Sequence, residues 1–323
     1  MRALITGGAG FIGSHLADVL LADGHEVVAL DDLSTGTTAN IAHLEKEERF
    51  RFINGSILDA DLVSTVMSEA DWCFHLGAAL GVHTILENPL ESMAINIHGS
   101  EIVLRAAVER GVRTLITSTS EIYGKNPKQP LKEDDDRVLG SPLKSRWTYS
   151  EAKAVEESMA YELHRSLGLP VVIVRLFNTV GPRQTGRYGM VIPNFVGAAL
   201  TGDRITIFGD GNQTRVFCHI DDAISGLLAL FHNENAIGDV FNIGGEGEVS
   251  INELAKRVKD RINSASKIEH LEYEIAYETG FEEMPRRVPD TNKARALTGW
   301  HPAKSLDQII DDVARSIRVH GRH

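Results

Sequence analysis

Short runs of apolar, largely β-branched residues recur through the first half of the chain: RALIT (2–6), EVVAL (26–30), RFING (51–55), WCFHL (72–76), TLITS (114–118) and VVIVRLF (171–177). Between them the apolar positions switch to helical spacing. Leu90, Met93, Ala94, Ile97, Val103, Leu104, Ala107 and Val108 mark one helix near 89–109, and Ala152, Val155, Met159 and Leu163 mark a second over 148–167. Strand and helix in alternation predict an α/β fold, a doubly wound parallel sheet with helices on both faces. After Asn178 the texture changes to the glycine- and proline-rich segments GPRQTGRYG and FGDGNQTR, which predict a smaller C-terminal α/β region of loops and short strands. The expected division is 1–177, with a return segment near 215–245, and 178–323.

The fifth run ends unlike a buried strand. TLITSTSEIYG closes on Thr117, Ser118, Thr119, Ser120 and Glu121, where Val or Ile would ordinarily continue. A hydroxyl removed from water without a partner costs about 1–3 kcal/mol. Water or a polar ligand must therefore meet this row.

Composition narrows the classes. The chain has 323 residues, of which 42% are hydrophobic, as in a packed globular protein. No apolar run approaches the roughly 20 residues that cross a bilayer, and MRALITGGAG lacks the apolar core of a secretion signal, so a cytoplasmic protein without a membrane partner is expected. Two cysteines, Cys73 and Cys218, are too few for a disulfide scaffold and read as buried thiols. A formal charge of −12 disfavours nucleic acid as a partner. A small phosphorylated ligand would need local cations, and Arg183, Arg187, Arg204, Arg215, Arg286 and Arg287 are candidates. No metal site is expected.

LITGGAGFIGSHL sets Gly7, Gly10 and Gly13 between the first strand and a helix. The first two let the backbone turn and approach a pyrophosphate, the third lets the helix pack closely, and the helix N-terminus attracts the anion. The next strand ends at Asp31, where a carboxylate can accept hydrogen bonds from the adenosine ribose and repel a 2′-phosphate. This is a Rossmann-type dinucleotide site with a preference for NAD over NADP.

TYSEAK then supplies Tyr149 and Lys153, four apart and on one helical face. A phenol is a weak base at neutral pH, but a nearby ammonium and an oxidised nicotinamide both favour the phenolate. Such a tyrosine can take a proton from a sugar hydroxyl as hydride leaves the same carbon.

With GGAGFIG, HLGAA, TSTSEIYG, the Tyr149–Lys153 pair, RLFNTVGPRQ, FGDGNQTRVFCHIDD and RRVPDTNKARALTGW, the whole chain resembles the extended short-chain dehydrogenase/reductases that act on nucleotide sugars as epimerases, dehydratases and decarboxylases. The resemblance implies tightly held NAD, contacted by Gly7, Gly10, Phe11, Ile12, Gly13, Asp31, Ser56, Ile57, Leu76, Ala78, Asn96, Tyr149 and Lys153. Ser56 stands where an acidic residue is usual. It implies a catalytic set of Thr119, Tyr149 and Lys153, with Thr119 on the sugar 4-hydroxyl. For a UDP-sugar substrate it implies Asn178 and the arginines Arg215 and Arg287 at the diphosphate, and Phe208 stacked on uracil. It also implies a homodimer whose two long helices pair with their symmetry mates in a four-helix bundle.

The reaction turns on Glu121. In the family's dehydratases an Asp and a Glu follow the Thr, and here Ser120 replaces the Asp, which disfavours 4,6-dehydration. Thr-Ser-Glu is the triplet of the uronate decarboxylases, for which Glu121 would be a base beside C5. Those enzymes tend to carry a basic residue after the Lys, whereas this chain has Ala154, and the insert EDDDRVLGSPLKSRW precedes the Tyr. The favoured reading is therefore a UDP-glucose or UDP-glucuronate 4-epimerase working through a transient 4-keto sugar, with UDP-glucuronate decarboxylation as the alternative. A non-catalytic NAD sensor is disfavoured because Tyr149 and Lys153 are both present. Arg187 and Ser120 are the candidates for a C6 carboxylate.

Overall fold

The computed structural model describes residues 1–79, 89–186, 189–272, 282 and 284–321. All six apolar runs form strands: β1 (Arg2–Thr6), β2 (Glu26–Asp31), β3 (Phe50–Asn54), β4 (Trp72–His75), β5 (Arg113–Thr119) and β6 (Val171–Leu176). With Val240–Ile243 added beside β6, they make a seven-stranded sheet in the order Val240–Ile243, β6, β5, β4, β1, β2, β3. Every pairing in it is parallel. Parallel strands need crossovers, and the crossover helices cover both faces.

The two faces hold separate apolar cores. One packs Leu16, Leu20, Phe74, Leu227 and Phe231 between the sheet and the helices Phe11–Ala22 and Ile220–Phe231. The other packs Val63, Met67, Val103, Leu104 and Ala160 against Leu4, Ile116 and Ile173. The strand order reverses at β1 and β4, and a crevice opens beyond their C-terminal ends, as open α/β sheets require.

The two helices expected from their apolar spacing are present. Thr148–Leu167 is one unbroken helix. The other runs through Pro89–Met93, a π-helical stretch Ala94–Gly99 and Ser100–Arg110. Both leave large apolar side chains in solvent: Leu90, Val155, Tyr161 and Leu167 are all exposed.

The C-terminal region contains more helix than its glycine-rich texture suggested. Val191–Thr201, Ile251–Ile262 and Leu306–His320 enclose a third core with Phe195, Leu254, Val258, Ile310 and Val313. Ile205–Phe208 pairs with Ile268–Leu271, and Thr214–Arg215 is flanked by Val249–Ser250 and Arg286–Arg287. The glycines that dominate the sequence there occupy the turns between these elements. Among the described residues no helix is long and apolar enough to cross a membrane.

Candidate active site

The crevice continues into a cleft of about 750 Å³ between the parallel sheet and the C-terminal elements. At its sheet end lie Gly7, Gly10, Phe11, Ile12, Gly13, Asp31, Ile57, Leu76 and Ala78. Gly7 has φ +70°, and a Cβ there would sit 2.8 Å from the Gly77 nitrogen, so the turns after β1 and β4 meet only because Gly7 has no side chain. A Cβ on Gly13 would lie 2.2 Å from the Gly7 carbonyl oxygen. Helix Phe11–Ala22 begins at Gly10 without a side-chain cap, which leaves its first N–H groups facing the cleft. Asp31 Oδ2 accepts the Ala9 N–H at 3.0 Å and Oδ1 accepts the Leu33 N–H at 2.8 Å. Burial pushes this carboxyl up, and the backbone donors oppose that rise. An uncapped helix start, a cradle closed to any Cβ and a carboxylate at the end of β2 fit a dinucleotide.

Two expected cofactor residues stand outside the lining. Asn96 is buried, and its side chain binds both Ala79 N–H and Ala79 carbonyl, at 2.8 and 2.9 Å. It fixes the loop after β4. Ser56 Oγ accepts the Leu58 N–H at 3.3 Å in a local turn.

The hydroxyl row of β5 enters the middle of the cleft, where Thr117, Ser118, Thr119, Ser120 and Glu121 all line it. Thr119 Oγ1 accepts the Glu121 N–H at 3.2 Å and starts a 3₁₀ turn over Ser120–Tyr123. Helix Thr148–Leu167 is docked on this strand end by two bonds. Ser150 Oγ donates to the Glu121 carbonyl at 2.9 Å, and Lys153 Nζ donates to the Thr117 carbonyl at 2.9 Å. Tyr149 is thereby held over the same strand end, where burial, Glu121 and Glu156 all disfavour its phenolate.

Glu121 is the centre of an ionic cluster. Its Oε2 lies 2.6 Å from Arg146 Nη1 and its Oε1 lies 3.3 Å from Arg287 Nη1. Burial pushes the carboxyl up, but the charges of Arg146, Arg287 and Arg215 outweigh it and hold the group below the usual glutamate range. Arg287 and Arg215 are register partners in the small parallel pairing, and both charges act on Glu121. Arg146 comes from the insert before Tyr149, 25 residues from Glu121, and stacks over the Trp147 ring at 5.3 Å. Sequence spacing gave no sign of it.

The other expected substrate residues divide. Asn178 and Phe208 line the cleft, and Asn178 Nδ2 donates to the Val216 carbonyl at 2.8 Å. Among the remaining arginines, Arg183 pairs with Asp18, Arg204 with Glu269, and Arg286 with both oxygens of Glu248. Arg187 lies outside the described residues. No group of three or more His, Cys, Asp or Glu side chains that could hold a metal occurs among the described residues.

Fold and cleft together define a dinucleotide-dependent enzyme of the extended short-chain dehydrogenase/reductase type. The chain belongs to the GDP-mannose 4,6 dehydratase family, whose model matches residues 4–313. It is 41% identical to a UDP-N-acetyl-alpha-D-glucosaminuronate decarboxylase of Bacillus cytotoxicus over 98% of both chains. UDP-glucuronic acid decarboxylase 1 of Xenopus tropicalis is 36% identical over 100% of this chain and 73% of its own. Among solved structures, the UDP-glucuronic acid 4-epimerase of Bacillus cereus, in complex with UDP-glucuronic acid and NAD, superposes with a TM-score of 0.89 at 31% identity over 99% of each chain.

Proposed function

We propose that the protein is an NAD-dependent decarboxylase of a UDP-sugar that carries a carboxylate at C6, UDP-glucuronate or its 2-acetamido counterpart. The observation that carries this reading is Glu121 held between Arg146 and Arg287 beside Thr119 and Tyr149. A 4-epimerase has no step for such a cluster. The decarboxylases at 41% and 36% identity support the same choice, so the epimerase preference gives way to its alternative. The missing basic residue after Lys153 weighs less than expected, because Arg146 supplies a cation to the cleft from the preceding insert.

In this reading 1–177, with the return segment near 215–245, is the dinucleotide domain and 178–323 the nucleotide-sugar region. NAD, held by the glycine turn and Asp31, would supply hydride acceptance and return at C4. Thr119 and Tyr149 would bind the 4-hydroxyl, and Tyr149 would take its proton. Once C4 is a ketone, the C6 carboxylate belongs to a β-keto acid. The C5–C6 bond breaks, its electron pair moves onto the C4 oxygen, and carbon dioxide leaves. Thr119 and Tyr149, which both line the cleft, would hydrogen-bond that enolate oxygen. A proton must then be added at C5; it comes from solvent water, and we assign its relay to Glu121, which is ionised between its arginines and has to take the proton up before passing it on. No base is needed at C5, because the breaking bond supplies the electrons that a base would otherwise release; Glu121 is thus a proton carrier rather than the expected base. Asn178, Arg215 and Phe208 would hold the UDP group. The exposed Leu90, Val155, Tyr161 and Leu167 support a homodimer through the two long helices, which light scattering at micromolar concentration would test.

The deciding experiment is product analysis by NMR after separate incubation with UDP-glucuronate, UDP-N-acetylglucosaminuronate and UDP-glucose. A pentose product with release of carbon dioxide from either uronate is expected. Inversion at C4 with C6 retained would restore the epimerase.

A further inference from the structure

Lys153 is almost fully enclosed and does not stand alone. Its Nζ lies between the Thr117 carbonyl at 2.9 Å and Glu156 Oε2 at 2.8 Å, and Glu156 is wholly inaccessible to solvent. The second oxygen of Glu156 makes no hydrogen bond of ordinary geometry; burial pushes the carboxyl up, and Lys153 and then the Ser100 hydroxyl oppose that rise. Ser100 Oγ is 2.9 Å from His75 Nε2, and His75 Nδ1 is 2.7 Å from Thr6 Oγ1. Thr6 Oγ1 in turn accepts the Gly77 N–H at 3.1 Å. Burial holds the imidazole far below its ordinary range, at about 3, so it is neutral near pH 7. With Thr6 Oγ1 already accepting from Gly77, its hydrogen can go to His75 Nδ1, which leaves Nε2–H to donate to Ser100. A directional polar chain thus runs from the turn after β4 to the ion pair under Tyr149.

We propose that Glu156 is a positioning residue for the proton chemistry of Tyr149: it fixes Lys153 Nζ against the Thr117 carbonyl and offsets part of the positive charge that Lys153 presents to the phenol. The proposal rests on Tyr149 and Lys153 as the hydroxyl-activating pair and is independent of the chemistry at C5. A carboxylate buried beside a lone ammonium would be too costly unless each neutralised the other, and the two side chains are one helical turn apart on the same face. Glu157, the adjacent carboxylate, cannot substitute, because both its oxygens are bound by Arg175 at 2.9 and 2.7 Å. The ionisable groups that act on the Tyr149 phenol are Glu121 from the 3₁₀ turn and Glu156 from its own helix, and both oppose ionisation. Those that act on Glu156 are Lys153 and Glu157, with the neutral Ser100 and His75 behind it.

The test is Glu156→Gln, which keeps the shape and an acceptor for Lys153 but removes the charge. It is read in the purified protein with its bound NAD in two ways. The first is ultraviolet titration of tyrosinate, with Tyr149→Phe as the reference that isolates one tyrosine among six. The second is the pH profile of kcat/KM on UDP-glucuronate. The Tyr149 titration and the acid limb of the profile are expected to move together to lower pH. If neither moves, Glu156 is an ordinary core group and the proposal is overturned. If Glu156→Gln does not fold, Glu156→Asp keeps the charge but withdraws it from Lys153, and the expected result is kcat down about tenfold with the limb in place. Unchanged kcat in that variant would equally overturn the proposal. Should the parent lack activity on UDP-glucuronate, the tyrosinate titration still decides the question, and only the substrate assignment fails.

Discussion

Replacing Glu121 with Gln would strike the group to which the proposed decarboxylation assigns proton delivery at C5. The carboxylate accepts Arg146 at 2.6 Å and Arg287 at 3.3 Å. The amide keeps a single acceptor, so one charge-assisted bond of about 1.5–3 kcal/mol is lost and an NH₂ group is turned toward a guanidinium. Arg146, with only 8% of its side chain exposed, also loses this carboxylate as a counter-ion. Breaking a fully buried pair costs about 3–5 kcal/mol, but Glu121 borders an open cleft and water screens part of this, so about 2 kcal/mol of stability is expected. That corresponds to a fall in Tm of about 3 °C. The catalytic effect should be larger. Loss of a proton-transfer group lowers turnover by about 10² to 10⁴, or roughly 2.7–5.5 kcal/mol of barrier. The assay is NMR of UDP-glucuronate labelled with ¹³C at C6, which follows label into carbon dioxide and bicarbonate while the remaining sugar signals report the C4 ketone. Because the proton is added after carbon dioxide leaves, label release beyond the first enzyme equivalent is expected to slow, with the keto sugar still formed. Carbon dioxide release at the parent rate from a folded Glu121→Gln protein would refute the assignment, and equal loss of ketone formation would make Glu121 a scaffold for the whole site.

Tyr149→Phe should leave folding and NAD content intact and lower kcat by about 10² to 10⁴; near-normal turnover would remove Tyr149 from the mechanism. Gly13→Ala places a Cβ 2.2 Å from the Gly7 carbonyl oxygen, so the purified protein should carry little NAD, as nucleotide absorbance after denaturation would show. Glu282 accepts Lys144 at 2.6 Å, Lys125 at 3.0 Å and Trp147 Nε1 at 2.9 Å, and these donors hold its carboxyl down at about 2. A depressed carboxyl contributes stability that is present above the ordinary value of 4.5 and lost as pH falls toward about 2, so Glu282→Gln should flatten the stability curve across that window in acid denaturation.

Several features are determined by local sequence alone. Continuous apolar runs can be satisfied only by strands covered on both faces, and the glycine spacing between β1 and its helix admits backbone approach whatever surrounds it. The same holds for Tyr149 and Lys153, because an i, i+4 pair shares a face wherever the helix lies. The hydroxyl row at the end of β5 announced a polar cleft, because such groups need partners. The reaction was not legible in this way. Arg146 meets Glu121 across 25 residues, and Arg287 meets it across 166. Both arrive on segments whose course is set by Trp147, Glu282 and the small sheet of Arg215 and Arg287, and a charge on a loop gives no sign in sequence of the carboxylate it will face. Glu156 was hidden for a different reason. A helical wheel sets it beside Ala152 on the face of Tyr149, but a carboxylate at the edge of a stripe can reach solvent as readily as a partner, and only the packing of Ser100 and Lys153 around it shows that it is buried at the Tyr149–Lys153 pair. Local pattern fixes which backbone forms and which faces are apolar, whereas the ionic cluster on which the proposed chemistry rests exists only once distant segments enclose the same cleft.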